Sequence, residues 1–177
     1  NQTIPNLKHH TLFFENDLDK HIDCIYGEKK WPEKPLFYAC CPSKTDKIVA
    51  PKGKENLFLL MPLAINIQDD EKNREKYIAE MLSRIEKHTG VADLASKIEY
   101  QRSYCVTDFV QDYNAYGGNA YGLANTLNQT AVLKPKMRNK KVNNLFYTGQ
   151  LTVPGPGVPP SIISGKIVAN EITKFKN

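Results

Sequence analysis

The residues best placed to do chemistry lie in a glycine- and proline-rich segment near the end of the chain. Residues 154–157 read Pro-Gly-Pro-Gly, and two more prolines follow at positions 159 and 160. Glycine lets the backbone approach a ligand closely, and proline is tolerated in the first turn of a helix. The pattern predicts a turn that leads into a helix starting near Ser161. Unpaired N–H groups in such a first turn suit the polar edge of a flat cofactor; the candidate donors are Val158, Ser161 and Ile162.

The segments on either side of this turn are predicted to be a strand and a helix. Leu145–Thr148 is a short apolar run that ends at Gly149, which is typical of a buried strand. Beyond the turn, Ile163 and Ile167 lie one helical turn apart, as on the apolar face of a helix. A strand, a glycine turn and a helix in this order form either a cofactor site or a purely structural turn. The local pattern leaves both interpretations open.

The composition indicates a globular protein of one domain or slightly more. The chain has 177 residues, a mean hydropathy of −0.49 and no apolar stretch near the length of about 20 residues that a membrane-spanning helix needs. It starts with Asn1 rather than methionine, from which we expect a piece of a longer protein. The net charge is +5, and the basic residues of segment 134–141 are expected to form a solvated loop, not a nucleic-acid surface. The four cysteines lack C-x-x-C spacing and are expected to be buried free thiols in a reducing cytoplasm.

The remaining pattern predicts an α+β, or mixed α/β, fold with a mixed β-sheet and packed helices. Leu36–Cys41 is apolar throughout, so we expect it to be covered on both faces. The clearest helix is Glu71–Lys87, ended by Gly90 and carrying an outer Glu80–Arg84 ion pair. Shorter helices or turns are predicted over 17–26 and 107–113, and further strands over Lys8–Glu15, 48–49, Leu57–Met61 and Ile98–Val106.

No metal site is predicted from the histidines. His9 and His10 are adjacent in a predicted strand, so their side chains should point to opposite faces. His21 and His88 lie far from them in the sequence.

The motif from Thr148 to Lys166 resembles the C-terminal flavin-contacting signature of the bacterial-type phytoene desaturases. These are carotenoid desaturases within the flavin amine oxidase-like superfamily. Further similar stretches follow in the same order along the chain; they are His9–Phe14, Pro42–Asp46, Ala50–Gly53 and Asp112–Gly122. The resemblance is most specific from Tyr104 onward.

The resemblance implies a C-terminal fragment of an enzyme that introduces double bonds into a C40 hydrocarbon. No side chain accepts a hydride, so the family uses FAD. Residues 1–135 then belong to the substrate domain, and residues 136–177 supply a βα segment of a Rossmann-like FAD domain. The flavin-contacting residues would be Gly149, Gln150, Gly155, Gly157, Val158, Pro159, Ser161 and Ile162. Gln150 stands where many relatives have an acidic residue, which weakens the assignment of a ribityl contact to this position.

Three tyrosines spaced by small residues are candidates for the substrate channel, namely Tyr113, Tyr116 and Tyr121. Flat aromatic walls suit a long polyene, although an aromatic loop packed on the core has the same pattern. No catalytic residue is identified, since the charged residues proposed in the family fall outside this chain.

The implied partners are a carotenoid hydrocarbon and, through the complete protein, a membrane surface in the cytoplasm. A second copy of the chain is a further candidate, covering the C-terminal segment. The chain lacks a Gly-x-Gly-x-x-Gly fingerprint, so the 177 residues alone are expected to hold no FAD. The alternative is a stand-alone hydrophobic-ligand-binding or interaction module without catalysis.

Overall fold

The computed structural model describes residues 3–124, 126–130 and 133–176, and the chain divides into two compact units. The first unit, Asn1–Gly118, contains six elements; they are β1 (His10–Phe13), α1 (Leu18–Tyr26), β2 (Phe37–Cys40), β3 (Phe58–Leu60), α2 (Glu71–Thr89) and α3 (Val106–Tyr113). The second unit, Asn119–Asn177, contains the helix α4 (Val158–Lys176). None of the described helices is both long enough and apolar enough to cross a membrane. The predicted mixed α/β class is confirmed, whereas the assignment of residues 136–177 to an FAD domain stays a prediction.

The sheet of the first unit is antiparallel throughout, in the order β1-β2-β3. The prediction that Leu36–Cys41 and Leu57–Met61 share one sheet is confirmed, and their pairing is antiparallel. The prediction of a mixed sheet is wrong for the strands that the structure describes. Connection length does not explain this, since residues 14–36 (with α1) and 41–57 are long enough for a parallel crossover. Antiparallel pairing instead agrees with a sheet that is covered on one face only, which parallel sheets rarely are. The predicted strand at 48–49 is also wrong, since Ile48 lies in a turn with 90% of its surface exposed.

Only one face of the sheet is covered. Phe37 and Ala39 are fully buried on the inner face of β2, whereas Tyr38 and Cys40 on its outer face are half-buried. Phe58 in β3 is 54% exposed. The expectations that β2 is covered on both faces and that β3 is buried are therefore wrong, because the helices described in this unit give the inner face its core.

Helix α2 packs its apolar stripe on the inner face of the sheet. Met81, Leu82 and Ile85 join Phe13 and Phe37 in one buried cluster. The helix is capped at its start by Asp70, whose carboxylate accepts the Asn73 N–H at 2.8 Å, and it ends at Gly90 with φ 74°. The sequence-based prediction of this helix is confirmed. A similar cap by Asp17 starts α1 at Leu18, and the helix predicted over 17–26 is confirmed.

Arg84 of α2 does not form the predicted ion pair with Glu80. Its guanidinium lies over the Phe37 ring and donates to Glu15 Oε1 at 2.7 Å and to the backbone carbonyls of Pro35 and Phe13. The hydrogen bond from Arg84 lowers the pKa of Glu15 to about 2. The predicted i,i+4 pair is wrong because two buried carbonyl groups at the sheet edge need donors, and Arg84 supplies them.

The predicted strand Ile98–Val106 is wrong as well, since residues 98–105 have no regular structure and α3 begins at Val106. The Cys105 N–H donates to the Asp108 carboxylate at 2.7 Å, which caps α3. Arg74 bridges Asp69 and Asp108, while Asp69 also accepts the Thr107 N–H at 2.8 Å. Burial raises the pKa of Asp69, but the hydrogen bonds from Arg74 and Thr107 outweigh it and hold this pKa well below its usual range. These charge-assisted bonds hold α3 against α2, and the helix or turn predicted over 107–113 is confirmed as α3.

We expect Arg84→Gln to lower the free energy of unfolding by about 1–3 kcal/mol, because two carbonyl groups lose their donor. Glu15→Gln should cost less, about 0.5–1 kcal/mol at pH 7, since Glu15 is partly exposed. The folded-state pKa of Glu15 lies below its unfolded value. The contribution of Glu15 is therefore present at neutral pH and is lost as the pH falls from about 4.5 towards 2.

Urea unfolding of the three proteins at pH 7 and at pH 2.5 measures both effects. Glu80→Gln is the matched control and should change stability by less than about 0.5 kcal/mol. Equal effects of the Glu80 and Glu15 substitutions at pH 7 would contradict this account of the ion pair.

Candidate functional site

The candidate turn leads directly into α4, which begins at Val158, three residues before the predicted start. Pro159 and Pro160 lie in the first turn, as predicted, where their missing N–H groups cost little. The Ser161 N–H donates to the Gly157 carbonyl at 3.0 Å, so it is used within the helix. The Ile162 N–H follows in the same helical pattern. Of the three predicted donors, Val158 is the one whose N–H has no acceptor among the described residues.

The predicted buried strand Leu145–Thr148 is not formed. The segment folds back on the preceding chain through a single antiparallel bridge between Arg138 and Phe146. The Tyr147 N–H donates to the Met137 carbonyl at 2.6 Å, and Leu145 stays largely exposed. The prediction is wrong because an apolar run becomes a buried strand only when neighbouring strands cover it, and the described part of this unit contains none.

Ser164 fixes the start of this turn to the helix, a role that sequence reasoning missed. Its fully buried hydroxyl accepts the Gly149 N–H at 2.8 Å, donates to the Ser161 carbonyl at 2.7 Å and lies 2.8 Å from Thr148 Oγ1. The Gly149 carbonyl in turn accepts the Thr152 N–H at 3.1 Å and the Thr152 hydroxyl at 2.9 Å. Both backbone groups of Gly149 are thus used inside the protein. The sequence signal that could have revealed this role is a serine on the otherwise apolar inner face of the predicted helix.

Gly155 and Gly157 adopt backbone conformations that other residues rarely reach. Their φ angles are 140° and 111°, and Gly155 is buried. A Cβ atom built on Gly155 would lie 3.1 Å from Nζ of Lys134. The predicted need for glycine at these two positions is explained by backbone conformation at both and by close packing at Gly155. Gln150, which precedes these glycines in the sequence, is half-buried.

The three candidate tyrosines are all mostly exposed. Tyr113 ends α3 and lies 6.1 Å, ring centre to ring centre, from Phe109, and Tyr116 begins a short helical turn in the same unit. Tyr121 belongs to the second unit. The nearby Tyr104 donates its hydroxyl to Asp112 at 2.7 Å, and desolvation together with this carboxylate raises the pKa of Tyr104. The hydroxyl of Tyr104 therefore stays protonated at neutral pH.

The prediction that His9 and His10 point to opposite faces of a strand is wrong. β1 starts at His10, so His9 precedes the strand, and the two rings lie 4.2 Å apart instead of pointing to opposite faces. Cys40 pairs with His10 across the sheet, and one ligand atom from each of the three residues lies within 4.8 Å of the others. Ligand atoms of a tetrahedral zinc site are closer, about 3.3–3.7 Å apart, so this cluster is too open as it stands.

His21 is a core histidine with both ring nitrogens occupied. Its Nδ1 accepts the Leu36 N–H at 2.8 Å, and its Nε2 donates to the Pro62 carbonyl at 2.9 Å. The four cysteines are free, as predicted, but only Cys24, Cys41 and Cys105 are buried, because Cys40 lies on the half-buried outer face of β2. Burial raises the pKa of Cys105 to about 11. This thiol is therefore a poor nucleophile at neutral pH.

We expect Ser164→Val to loosen the turn from α4, because the buried Gly149 N–H loses its acceptor at a cost of about 1–3 kcal/mol. Hydrogen exchange should show faster exchange at Gly149 and in the first turns of α4. Thr173→Val is the matched control, since its hydroxyl bonds only to the Ala169 carbonyl on the exposed side of the same helix. Unchanged exchange at Gly149 in the Ser164 variant would refute this role.

Comparison with known proteins gives relatives along nearly the whole chain. The carotenoid 3,4-desaturase of Haloarcula japonica is 46% identical over 169 residues, 96% of this chain. The zeta-carotene-forming phytoene desaturase of Myxococcus xanthus is 33% identical over 175 residues, 95% of this chain. The 4,4'-diaponeurosporene oxygenase of Staphylococcus aureus is 30% identical over 171 residues, also 95% of the chain. The chain spans about a third of the length of these relatives (34%, 33% and 34%). No protein-family model matches it.

Proposed function

The chain belongs to the carotenoid desaturase family, and from this premise we propose that it is the C-terminal part of an FAD-dependent phytoene desaturase. The observation that carries the proposal is the 46% identity to a carotenoid 3,4-desaturase over 96% of the chain. The relatives differ in the substrate that their names give, so phytoene as the substrate rests on the C-terminal motif alone. The alternative of a non-catalytic module is not favoured, because the relatives are named as enzymes.

The glycine turn fits one edge of a flavin ring. The left-handed glycines, Gly155 and Gly157, present backbone without side chains, and Val158 places an N–H at the positive end of α4. A bound FAD would accept the hydride that desaturation removes. In this proposal the chain itself orients the ring and places positive charge near it. The predicted contacts of Gln150, Pro159, Ser161 and Ile162 then come from side chains and apolar atoms, since the N–H groups of Ser161 and Ile162 belong to the helix.

The outer face of the sheet is suited to an apolar substrate. Leu12, Tyr38 and Leu60 lie side by side across the three strands, and Phe58 and Phe14 extend the same exposed face. An exposed apolar face of this kind indicates a binding surface. We assign it, together with Tyr113 and Tyr116 of the same unit, to contact with the hydrocarbon in the complete enzyme. Tyr121 of the second unit stays a separate candidate for substrate contact.

A membrane is the source from which such a substrate must come. A C40 hydrocarbon partitions into the bilayer rather than into water. The complete enzyme would then be cytoplasmic and dock peripherally on the membrane, and a second copy of the protein would cover the C-terminal segment.

We expect Gly157→Val in the complete enzyme to weaken FAD binding by about tenfold or more. A β-branched residue at φ 111° is strained by about 1–3 kcal/mol and would shift the turn. The FAD content of the purified protein and its dissociation constant by fluorescence measure the effect. Gly53→Val is the matched control, because Gly53 also has positive φ (79°) but lies in a loop of the first unit with nothing within 4 Å of a built Cβ. Equal FAD retention in both variants would refute the flavin role of the turn.

We expect Leu12→Asp to lower turnover of the hydrocarbon by about tenfold or more, because a carboxylate on the outer sheet face opposes contact with an alkyl chain. The melting temperature should hardly change, since Leu12 is exposed. Ile48→Asp places the same charge on an exposed turn of the first unit and should leave turnover unchanged. Full activity of the Leu12→Asp variant would show that the outer face of the sheet does not contact the substrate.

A further inference from the structure

Three side chains that can bind a metal ion meet at one end of the outer face of the sheet. They belong to His9 and His10, at the start of β1, and to Cys40, at the end of β2. One ligand atom from each lies within 4.8 Å of the other two. In the part of the chain that the structure describes, no other group of three histidines, cysteines or carboxylates is arranged to hold a metal. The proposed contacts with flavin and hydrocarbon leave these three residues without a role.

The register of the sheet brings His10 and Cys40 as close together as paired strands allow. The two residues are direct partners across β1 and β2, and the Cys41 N–H donates to the His9 carbonyl at 2.8 Å. This bond joins the two residues that flank the pair, so His10 and Cys40 form a non-hydrogen-bonded pair. Pairs of this type have Cα atoms only about 4.5 Å apart, and their side chains lie closest. The backbone therefore presents an imidazole and a thiol side by side.

Hydroxyl groups hold both imidazoles through Nδ1. Thr45 Oγ1 lies 2.6 Å from Nδ1 of His9 and donates its own proton to the Pro42 carbonyl at 3.3 Å. It therefore accepts the Nδ1–H of His9, which leaves the lone pair of this ring on Nε2. Nδ1 of His10 lies 2.5 Å from the Tyr38 hydroxyl in the same way, and Nε2 of neither ring has a hydrogen-bond partner among the described residues. An imidazole held through Nδ1, with Nε2 available, is how proteins prepare a histidine to bind a metal.

Cys40 supplies the ligand that determines which metals suit the cluster. Its sulfur is half-buried and belongs to no disulfide. The Tyr38 hydroxyl interacts with this sulfur as well as with Nδ1 of His10, so it orients both groups. A thiolate with two imidazoles is a ligand set for Zn²⁺, whereas Mg²⁺ and Ca²⁺ prefer oxygen ligands.

The cluster can close around a zinc ion by small rotations of its rings. Ligand atoms of a tetrahedral zinc site lie about 3.3–3.7 Å apart, so a separation of 4.8 Å must shrink by about 1–1.5 Å. His10 is exposed and His9 is half-buried, so turning their rings displaces no core side chain. The torsion that turns a histidine ring has a broad range of allowed values. Closure therefore leaves the two strands in place.

We propose that His9, His10 and Cys40 form a zinc-binding site that joins the start of β1 to the end of β2. Nε2 of each histidine and the Cys40 thiolate are the protein ligands, and a water molecule completes the tetrahedron. The thiol proton is released to solvent when the metal binds. The site lies beside Phe58, the partner of Cys40 on β3, at the edge of the outer sheet face. This inference is independent of the proposed function, since zinc binding requires neither flavin nor carotenoid.

Zinc binding is measured on the complete protein after its metals have been removed with a chelator. Mass spectrometry gives the zinc content, and competition with a chromophoric chelator gives the dissociation constant. We expect the native protein to bind one zinc ion per chain more than Cys40→Ser or His10→Gln. Each of these variants should bind at least about 100-fold more weakly, because loss of a ligand costs more than loss of an outer partner. His88→Gln is the matched control, since it removes a half-exposed histidine of the same unit outside the cluster, and it should bind zinc like the native protein.

Two further measurements identify the ligands. Thr45→Val should raise the dissociation constant about tenfold, because the Nδ1–H of His9 loses its acceptor. Co²⁺ in place of Zn²⁺ should give intense d–d bands at wavelengths longer than those that a flavin absorbs, as four-coordinate cobalt does. These bands should appear in the native protein and in His88→Gln and be absent from Cys40→Ser. Mg²⁺ in excess should not compete with either metal.

Equal zinc affinity in the native protein and in Cys40→Ser would overturn the proposal, because the cluster would then lack its thiolate. The same loss of zinc in His88→Gln as in His10→Gln would also overturn it. Without metal, the melting temperatures of the variants should agree with that of the native protein within about 2 °C, since the replaced side chains are exposed or half-buried. His10→Gln decides the question if Cys40→Ser is less stable than this, because His10 is exposed.

Discussion

The geometry of the second unit depends on one buried hydroxyl group, that of Ser164. It connects the backbone at Gly149 to the first turn of α4, because it accepts the Gly149 N–H and donates to the Ser161 carbonyl. Without that connection, the glycines at 155 and 157 could adopt many conformations, since glycine loses the most backbone entropy on folding. The hydroxyl therefore makes the difference between a flexible glycine linker and a turn with one shape. A turn with one shape is what a flat ligand requires.

The first unit is organised differently, through partly buried ion pairs at the edges of an apolar core. Arg84 satisfies two carbonyl groups at the end of β1 and before β2, and Arg74 joins α2 to α3 through Asp69 and Asp108. Both arginines project from α2, so this helix links the sheet to α3. One face of the sheet is packed against α2 and the other remains open. That asymmetry is consistent with a scaffold that presents its outer face to a ligand.

The sequence predicted well wherever a local signal had a local cause. The caps at Asp17 and Asp70 and the left-handed glycine at 90 determine α1 and α2 through bonds within a few residues. Predictions failed where the outcome depends on distant groups. Leu145–Thr148 has the composition of a strand but no described neighbour to pair with, and Arg84 has a helical partner in Glu80 but stronger acceptors elsewhere. The approach of His9 to His10 depended on where β1 starts, a boundary that periodicity locates poorly.

The candidate site shows the same limit of sequence-based prediction. Glycine and proline reveal a special backbone, so the turn and the start of α4 could be found from residue types alone. The two side chains that act on this turn, Ser164 and Lys134, carry no comparable signal, because serines and lysines are common on exposed surfaces. The role of each side chain depends on its burial, and burial is a property of the fold. The charge balance of residues 119–177 was, by contrast, visible in the sequence. Eight basic residues against one acidic residue attract anions over distances longer than a contact.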